Sequence, residues 1–164
     1  MIRKSNVSKP LKEDYIIRIK SRIEQRAAEG NAEDEKAEFV ELMTRGDLVL
    51  RNASWYITYQ ETETTGYDGC STTLKVAADS SRVTMLRFGK AAGAGTQLLI
   101  EKGKRNLCHY ETGYGSMTLG VMADEICCEL TEEGGTVRFA YLLDAGTNEL
   151  VSRNRLEVTV TKAN

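Results

Sequence analysis

Proline, histidine, long apolar runs and an excess of either charge are all scarce in this sequence. Its 164 residues include one proline, Pro10, and one histidine, His109. No stretch approaches the ~20 apolar residues of a membrane-spanning helix. The N-terminus from Met1 to Tyr15 lacks the apolar core, about 7–15 residues long, of a signal peptide. We therefore expect a soluble cytoplasmic protein with no membrane partner, whose four cysteines stay reduced.

The charge balance bears on the class of partner. The chain carries 22 basic and 24 acidic residues, scattered along its length, for a formal net charge of −2. Nucleic-acid binding depends on Lys and Arg side chains that neutralise phosphates, and it shows as a basic excess or stripe. Because neither is visible, we expect no nucleic-acid partner.

Motifs for metal, cofactor or covalent chemistry are also missing. Cys108 is adjacent to His109, and Cys127 to Cys128. On a strand, adjacent side chains point to opposite faces and cannot bind one ion together. No serine lies in a G-x-S-x-G motif, and no C-x-x-C occurs. The glycine-rich run 89–95 has neither G-x-G-x-x-G nor a Walker lysine. We expect no metal site and no cofactor.

The chain is instead rich in glycine, with 14 residues that separate short runs of Val, Thr, Tyr and Ile. This pattern is typical of an all-β sandwich or barrel. The clearest apolar alternations lie near the two ends, from Tyr15 to Ile23 and from Leu156 to Val160. Between them we predict strands near 36–44, 53–63, 70–78, 82–88, 96–101, 105–111, 116–130 and 136–143. The prediction is about ten strands in one barrel domain, 15–164, after a loose tail, 1–14.

Two segments also fit a helix. In Arg18–Glu29, apolar residues fall at helical as well as strand spacing, but the polar stretch after Gly30 favours a hairpin loop. In Thr118–Leu130, the apolar parity shifts near Asp124. One extra residue in a strand, a β-bulge, explains that shift. We interpret both segments as strands.

Three motifs give the chain a family resemblance. They are Trp55–Glu63 followed by Gly66 and Gly69, then Arg87-Phe88-Gly89, and then Tyr110–Met117. In this order they resemble the YwiB-like family of uncharacterised bacterial proteins, over nearly the whole chain from about Tyr15 to Val160. The resemblance implies a short antiparallel lipocalin-like (calycin) β-barrel, which fits 8–10 strands. It implies no activity.

Strand 53–63 carries the main candidate site. One parity contains Trp55, Ile57 and Tyr59 and should face the barrel interior, which points Glu61 inward as well. A buried carboxylate is costly unless it is paired or hydrogen-bonded. Arg87 shares the inward parity of its own strand and is the candidate partner. Tyr59, Tyr110 and Asn154 would complete a polar cluster. Such a cluster either orients a ligand or is a satisfied structural ion pair.

Two Thr-Gly-Tyr segments repeat near two predicted turns. They carry Tyr67 and Tyr114, which could lie at one rim of the barrel. Aromatic side chains at a rim suit binding because they combine an apolar face with a polar tip. The alternative is that each tyrosine only packs over its turn.

The residues leave three functional hypotheses. The first is a protein that binds a small, partly apolar ligand inside the barrel, through Tyr59, Glu61, Arg87, Tyr110, Tyr114 and Asn154. The second is an interaction module without a ligand, such as a homodimer, with Tyr56, Thr58 and Gln60 as a candidate face. The third is an enzyme with Glu61 as general base, which no motif supports.

Overall fold

A ten-stranded antiparallel sheet forms most of the described part of the chain in a computed structural model. It describes residues 13–25, 36–65, 67–89, 95–111, 115–146 and 150–163. The strands are β1 Tyr15–Gln25, β2 Lys36–Arg51, β3 Ser54–Gln60, β4 Cys70–Ala77, β5 Arg82–Gly89, β6 Gln97–Glu101, β7 Arg105–Glu111, β8 Ser116–Thr131, β9 Gly134–Asp144 and β10 Leu150–Lys162. A short 3₁₀ turn, Glu63–Thr65, is the only helical element in these ranges.

The strands form an up-and-down barrel that is nearly closed. Neighbours in sequence pair along the sheet, and β1 pairs with β10 from Tyr15–Lys162 to Gln25–Ser152. Joining the first strand to the last removes the two edges that an open sheet would leave at the chain ends. This arrangement is consistent with a lipocalin-like barrel and confirms the predicted fold class.

The ladder is interrupted between β6 and β7. One isolated backbone bridge, Glu101–Lys104, lies at the turn that joins them. Further along, side chains of β7 contact the backbone of β6: Asn106 Nδ2 donates to the Leu99 carbonyl (3.1 Å), and the Leu99 N–H donates to Cys108 Sγ (3.3 Å). Side chains of β7 thus satisfy both backbone groups of Leu99.

Alternation of apolar and polar residues produces the core. Ile17, Ile57, Val83, Val137 and Val158 have no solvent exposure and lie on the inner faces of five strands. The outer faces carry charged side chains in cross-strand pairs, such as Arg138 with Glu157 (3.0 Å). Each strand therefore buries one face and hydrates the other.

Both segments that also fitted a helix are strands. β1 is extended to Gln25, and the rest of Arg18–Glu29 lies outside the described residues. In β8 the register with β9 skips one residue between Ala123 and Glu125, which confirms the bulge at Asp124.

Two predicted boundaries were wrong. β2 continues to Arg51, well past the predicted end at 44, because a two-residue turn, Asn52-Ala53, joins it directly to β3. Both turn residues have positive φ, 49° and 62°, which is the backbone of a type I′ hairpin. β3 ends at Gln60 instead of 63, and Glu63 is exposed in the 3₁₀ turn.

The connections differ at the two ends of the barrel. At one end they are the short turns 52–53, 78–81, 102–104 and 132–133. At the other end they are 26–35, 61–69, 90–96, 112–115 and 145–149, which are longer on the whole. Longer connections carried by a rigid scaffold commonly bear function. The predicted tail, 1–14, lies outside the described residues except for Glu13 and Asp14. Within the described ranges, no helix has the length and hydropathy that a membrane crossing requires.

Candidate functional site

A cavity of about 160 Å³ opens at the end of the barrel that carries the longer connections. Its wall comes from the inner faces of most strands. The apolar part includes Ile19, Leu42, Met85, Leu98 and Leu156, and the polar part includes five of the six side chains predicted for the site.

Glu61 lies directly after β3 and continues its inward parity. Its backbone N–H donates to the Cys70 carbonyl (2.8 Å), which holds the residue against β4 after the strand has ended. Its carboxylate is buried and accepts two short hydrogen bonds, from Thr72 Oγ1 to Oε1 (2.6 Å) and from Thr65 Oγ1 to Oε2 (2.7 Å). The carboxylate is therefore compensated by neutral donors before any cation is counted.

The sheet register brings Arg87 close to Glu61, because it aligns inward-facing residues of β3, β4 and β5 side by side. Thr72 of β4 lies opposite Tyr59 of β3 on one side and opposite Arg87 of β5 on the other. Arg87 Nε donates to Thr72 Oγ1 (3.3 Å), and Nη2 lies 3.5 Å from Glu61 Oε1. This confirms that Arg87 is the partner of the inward-pointing Glu61.

The guanidinium of Arg87 is also covered by an aromatic ring. Its central carbon lies 3.7 Å from the centroid of the Tyr67 ring, close enough for a cation–π contact. Tyr67 in turn shares a hydrogen bond of 3.0 Å between its hydroxyl and that of Tyr110. The predicted rim tyrosine Tyr67 thus reaches the buried ion pair, whereas Tyr114 lies outside the described residues.

Three tyrosines around the cavity have pKa values raised above the ordinary tyrosine value. Burial is the main cause that raises the pKa of Tyr59 far above its usual range, and the negative charge of Glu61 adds to it. Burial also raises the pKa of Tyr110, with a further contribution from its hydrogen bond to Tyr67. Burial raises the pKa of Tyr141 to about 12. At neutral pH these side chains offer hydroxyl groups and no phenolate.

Asn154 contributes the opposite wall. It lies on β10 directly across from Tyr141 of β9, and both side chains are buried and line the cavity. Asn154 Nδ2 donates to Ser152 Oγ (2.9 Å), which fixes the amide on its strand. Five of the six predicted site residues, Tyr59, Glu61, Arg87, Tyr110 and Asn154, therefore line one cavity.

Sequence reasoning missed two contributors, Thr72 and Thr65. Thr72 has no solvent exposure and lies between Cys70 and Leu74 on the inner parity of β4. A single polar residue in a buried apolar row was the available signal for it. Thr65 gave no such signal, because it follows the end of β3 in a turn whose path the strand pattern does not define.

Both oxygens of the Glu61 carboxylate meet hydroxyl donors, Thr72 at Oε1 and Thr65 at Oε2. In the described part of the chain, no three His, Cys, Asp or Glu side chains come together in a way that could hold a metal ion.

Comparison with known proteins supports the fold described above. A family model described as a domain of unknown function (DUF1934) matches residues 17–158. The chain belongs to the DUF1934 family. The crystal structure of the ywiB protein from Bacillus subtilis has the same fold as this DUF1934 chain, with a TM-score of 0.66. The two are 18% identical, and the match covers 94% of this chain and 96% of that one. The YwiB-like resemblance is thereby confirmed, for the fold alone. No match was found among curated proteins.

Proposed function

We propose that this DUF1934 protein binds a small, partly apolar molecule inside its barrel. The observation that carries the proposal is a preformed cavity in which an apolar wall faces the Glu61–Arg87 pair and several tyrosines. Ligand sites of proteins typically combine a mostly apolar lining with a few convergent polar groups.

The size of the cavity limits the ligand. At about 160 Å³ it is smaller than the sites that hold drug-sized ligands. Those sites measure ~300–1,000 Å³. It is similar to an engineered apolar cavity of about 150 Å³ that binds benzene. The ligand we propose therefore has the size of one ring or a short chain.

Stability alone is a weak reason for the polar cluster. Replacing a buried ion pair by apolar side chains of similar volume is often neutral or stabilising. An interior devoted only to packing would therefore gain little from burying Glu61 and Arg87. A requirement to orient a ligand gives these charges a role.

Native mass spectrometry of gently purified protein tests the proposal. We expect a bound small molecule in the native protein and its loss in Ser21→Leu, which adds bulk to the cavity wall. Ser71→Leu adds the same bulk on the outer face of β4 and should retain the adduct. Absence of any adduct, or an adduct that survives Ser21→Leu but not Ser71→Leu, would contradict binding in the barrel.

A second candidate function, self-association, is favoured by one edge of β2. Among the described residues, the β2–β3 ladder begins at the Gly46–Tyr59 pair, so the first part of β2, from Lys36 to Arg45, has a ladder only with β1. The turn Glu63–Thr65 lies close to β2 but forms no ladder with it. Phe39 and Met43, both on this stretch, are 74% and 64% exposed. Unpaired edges of this kind accept another strand.

A second copy of the chain suits this edge by charge. Antiparallel pairing of two β2 edges with Met43 at the two-fold axis would place Glu41 opposite Arg45 twice. The face first predicted for a partner is less suitable. Tyr56 lies under Lys75 and Arg51, and Thr58 bonds to Thr73.

Light scattering after size exclusion tests self-association. We expect a dimer that Met43→Lys converts to a monomer, because two lysines would meet at the axis. Met122→Lys, at an exposed methionine of β8, should leave the dimer intact. A monomeric native protein would overturn this candidate.

The proposed location is the cytoplasm. No disulfide joins the four cysteines, which is the usual state in a reducing compartment.

A further inference from the structure

The cavity offers the ligand mainly hydrogen-bond donors. Within the described residues, no partner accepts from Arg87 Nη1 or from the hydroxyl of Tyr141, although both side chains are buried against the cavity. In the bond between Tyr67 and Tyr110, one hydroxyl donates and the other keeps its own proton for a further acceptor. The acceptors in the lining are Asn154 Oδ1 and the Glu61 carboxylate, and both carboxylate oxygens already accept from threonine hydroxyls.

The charge of Arg87 is only loosely matched by Glu61. Their closest atoms are 3.5 Å apart, beyond the ~2.7–2.9 Å of a charge-assisted hydrogen bond between a cation and an anion. The two threonine hydroxyls lie closer to the carboxylate, at 2.6 and 2.7 Å. Arg87 therefore does not form the bidentate pair with a carboxylate that arginine commonly makes, and its guanidinium keeps donors for a ligand.

The neutral tyrosines add to the preference of the cavity for an anion over a cation. Because Tyr59, Tyr110 and Tyr141 hold their protons well above neutral pH, none presents a phenolate that would repel an anion. A cation would meet the Arg87 guanidinium in this cavity, whereas the Glu61 carboxylate, which also lines it, already accepts two short hydrogen bonds from threonine hydroxyls. An acceptor-only group with one negative charge fits the free donors best.

We propose that the ligand is a small monocarboxylate, with its carboxylate on the free side of the Arg87 guanidinium and its hydrocarbon part against the apolar wall. This inference rests on the proposed binding function and adds the chemical class. The hydrocarbon part would lie against side chains such as Ile19, Leu98 and Leu156. The cavity volume limits the acid to about the size of benzoate or hexanoate.

Matched acids and amides test the class on the wild-type protein. Calorimetric titration with benzoate, benzamide, hexanoate and hexanamide, at neutral pH and constant ionic strength, compares ligands of nearly the same shape. We expect each acid to bind about 10- to 100-fold more tightly than its amide, as for a hydrogen bond to a charged group.

Two variants localise the effect. In Glu61→Gln the neighbouring negative charge is gone while Arg87 remains, so the acids should bind more tightly. In Glu61→Gln/Arg87→Met both charges are gone, and the acids should lose their advantage over the amides. The double variant leaves no unpaired charge in the core, which protects folding.

The outcomes separate the two proposals. Equal binding of acid and amide, abolished by Ser21→Leu, would overturn the carboxylate class and keep the binding function. An acid preference that persists in the double variant would also overturn the role of Arg87. No binding of any of the four probes would count against both.

Discussion

The buried Glu61–Arg87 pair predicts a specific stability pattern. The Glu61 and Arg87 side chains are 1% and 10% exposed. Arg87→Met would leave the Glu61 carboxylate without its cation, and removing one partner of a buried pair costs ~3–5 kcal/mol. Because Thr65 and Thr72 would still donate to the carboxylate, we expect the lower end, about 3 kcal/mol. Adding Glu61→Gln removes the stranded charge and keeps the shape, so it should recover about 1–2 kcal/mol of that loss.

Urea unfolding measures these differences. The single tryptophan, Trp55, is 7% exposed in the core, so its fluorescence reports the loss of packing. The matched control is the exposed pair Arg138–Glu157, with side chains 52% and 41% exposed. Removing that cation should change the free energy of unfolding far less, because exposed ion pairs contribute little to stability. The reasoning would be refuted if Arg87→Met cost no more than the surface control, or if the effects of Arg87→Met and Glu61→Gln simply added.

Three further predictions concern other parts of the barrel. A Cβ added at Gly120 would collide with the paired side chains of Arg105 and Asp144. Because the colliding atoms are the ends of flexible side chains, Gly120→Ala should lower the unfolding free energy by at most about 1 kcal/mol, and by clearly less in an Asp144→Ala background; equal costs in both would be contrary evidence. Ala53→Gly removes a side chain at φ 62°. It should raise the urea midpoint, with a gain of about 0.5 kcal/mol, and a lowered midpoint would argue against the type I′ turn. The pKa of Tyr141 is raised to about 12 in the folded protein. The stability that follows from this shift is therefore complete at pH values below the ordinary tyrosine pKa, and it declines as the pH rises through the pKa of the folded protein. Phenolate absorbance at about pH 11 should thus show Tyr141 still protonated in the folded protein, and removing it by Tyr141→Phe should leave that absorbance unchanged.

The strand pattern could be predicted from sequence because the barrel is regular. Inner and outer faces alternate with a period of two, so Ile17, Ile57 and Val158 could be placed inside without coordinates. The bulge at Asp124 was visible for the same reason, as a break in that period. Parity also placed Glu61 and Arg87 inside, and two buried opposite charges are expected to pair.

What sequence could not supply depends on register and on turns. That Thr72 stands between Tyr59 and Arg87 follows from how three strands align, which no single strand pattern encodes. The early end of β3 and the inward path of Tyr67 belong to a 3₁₀ turn and its following residues, where side-chain direction has no simple period. The cavity volume depends on how these side chains pack together, so it could be measured only in three dimensions.

Methyl NMR during addition of hexanoate or hexanamide tests the central claim, binding inside the barrel, most directly. The account predicts saturable shifts at the methyl groups of Ile19, Ile23 and Leu98, which line the cavity. Ile57 and Ile100 are buried in the same barrel and do not line it, so their methyl groups should stay in place. Shifts confined to surface methyl groups, or no saturable change with either probe, would contradict the account.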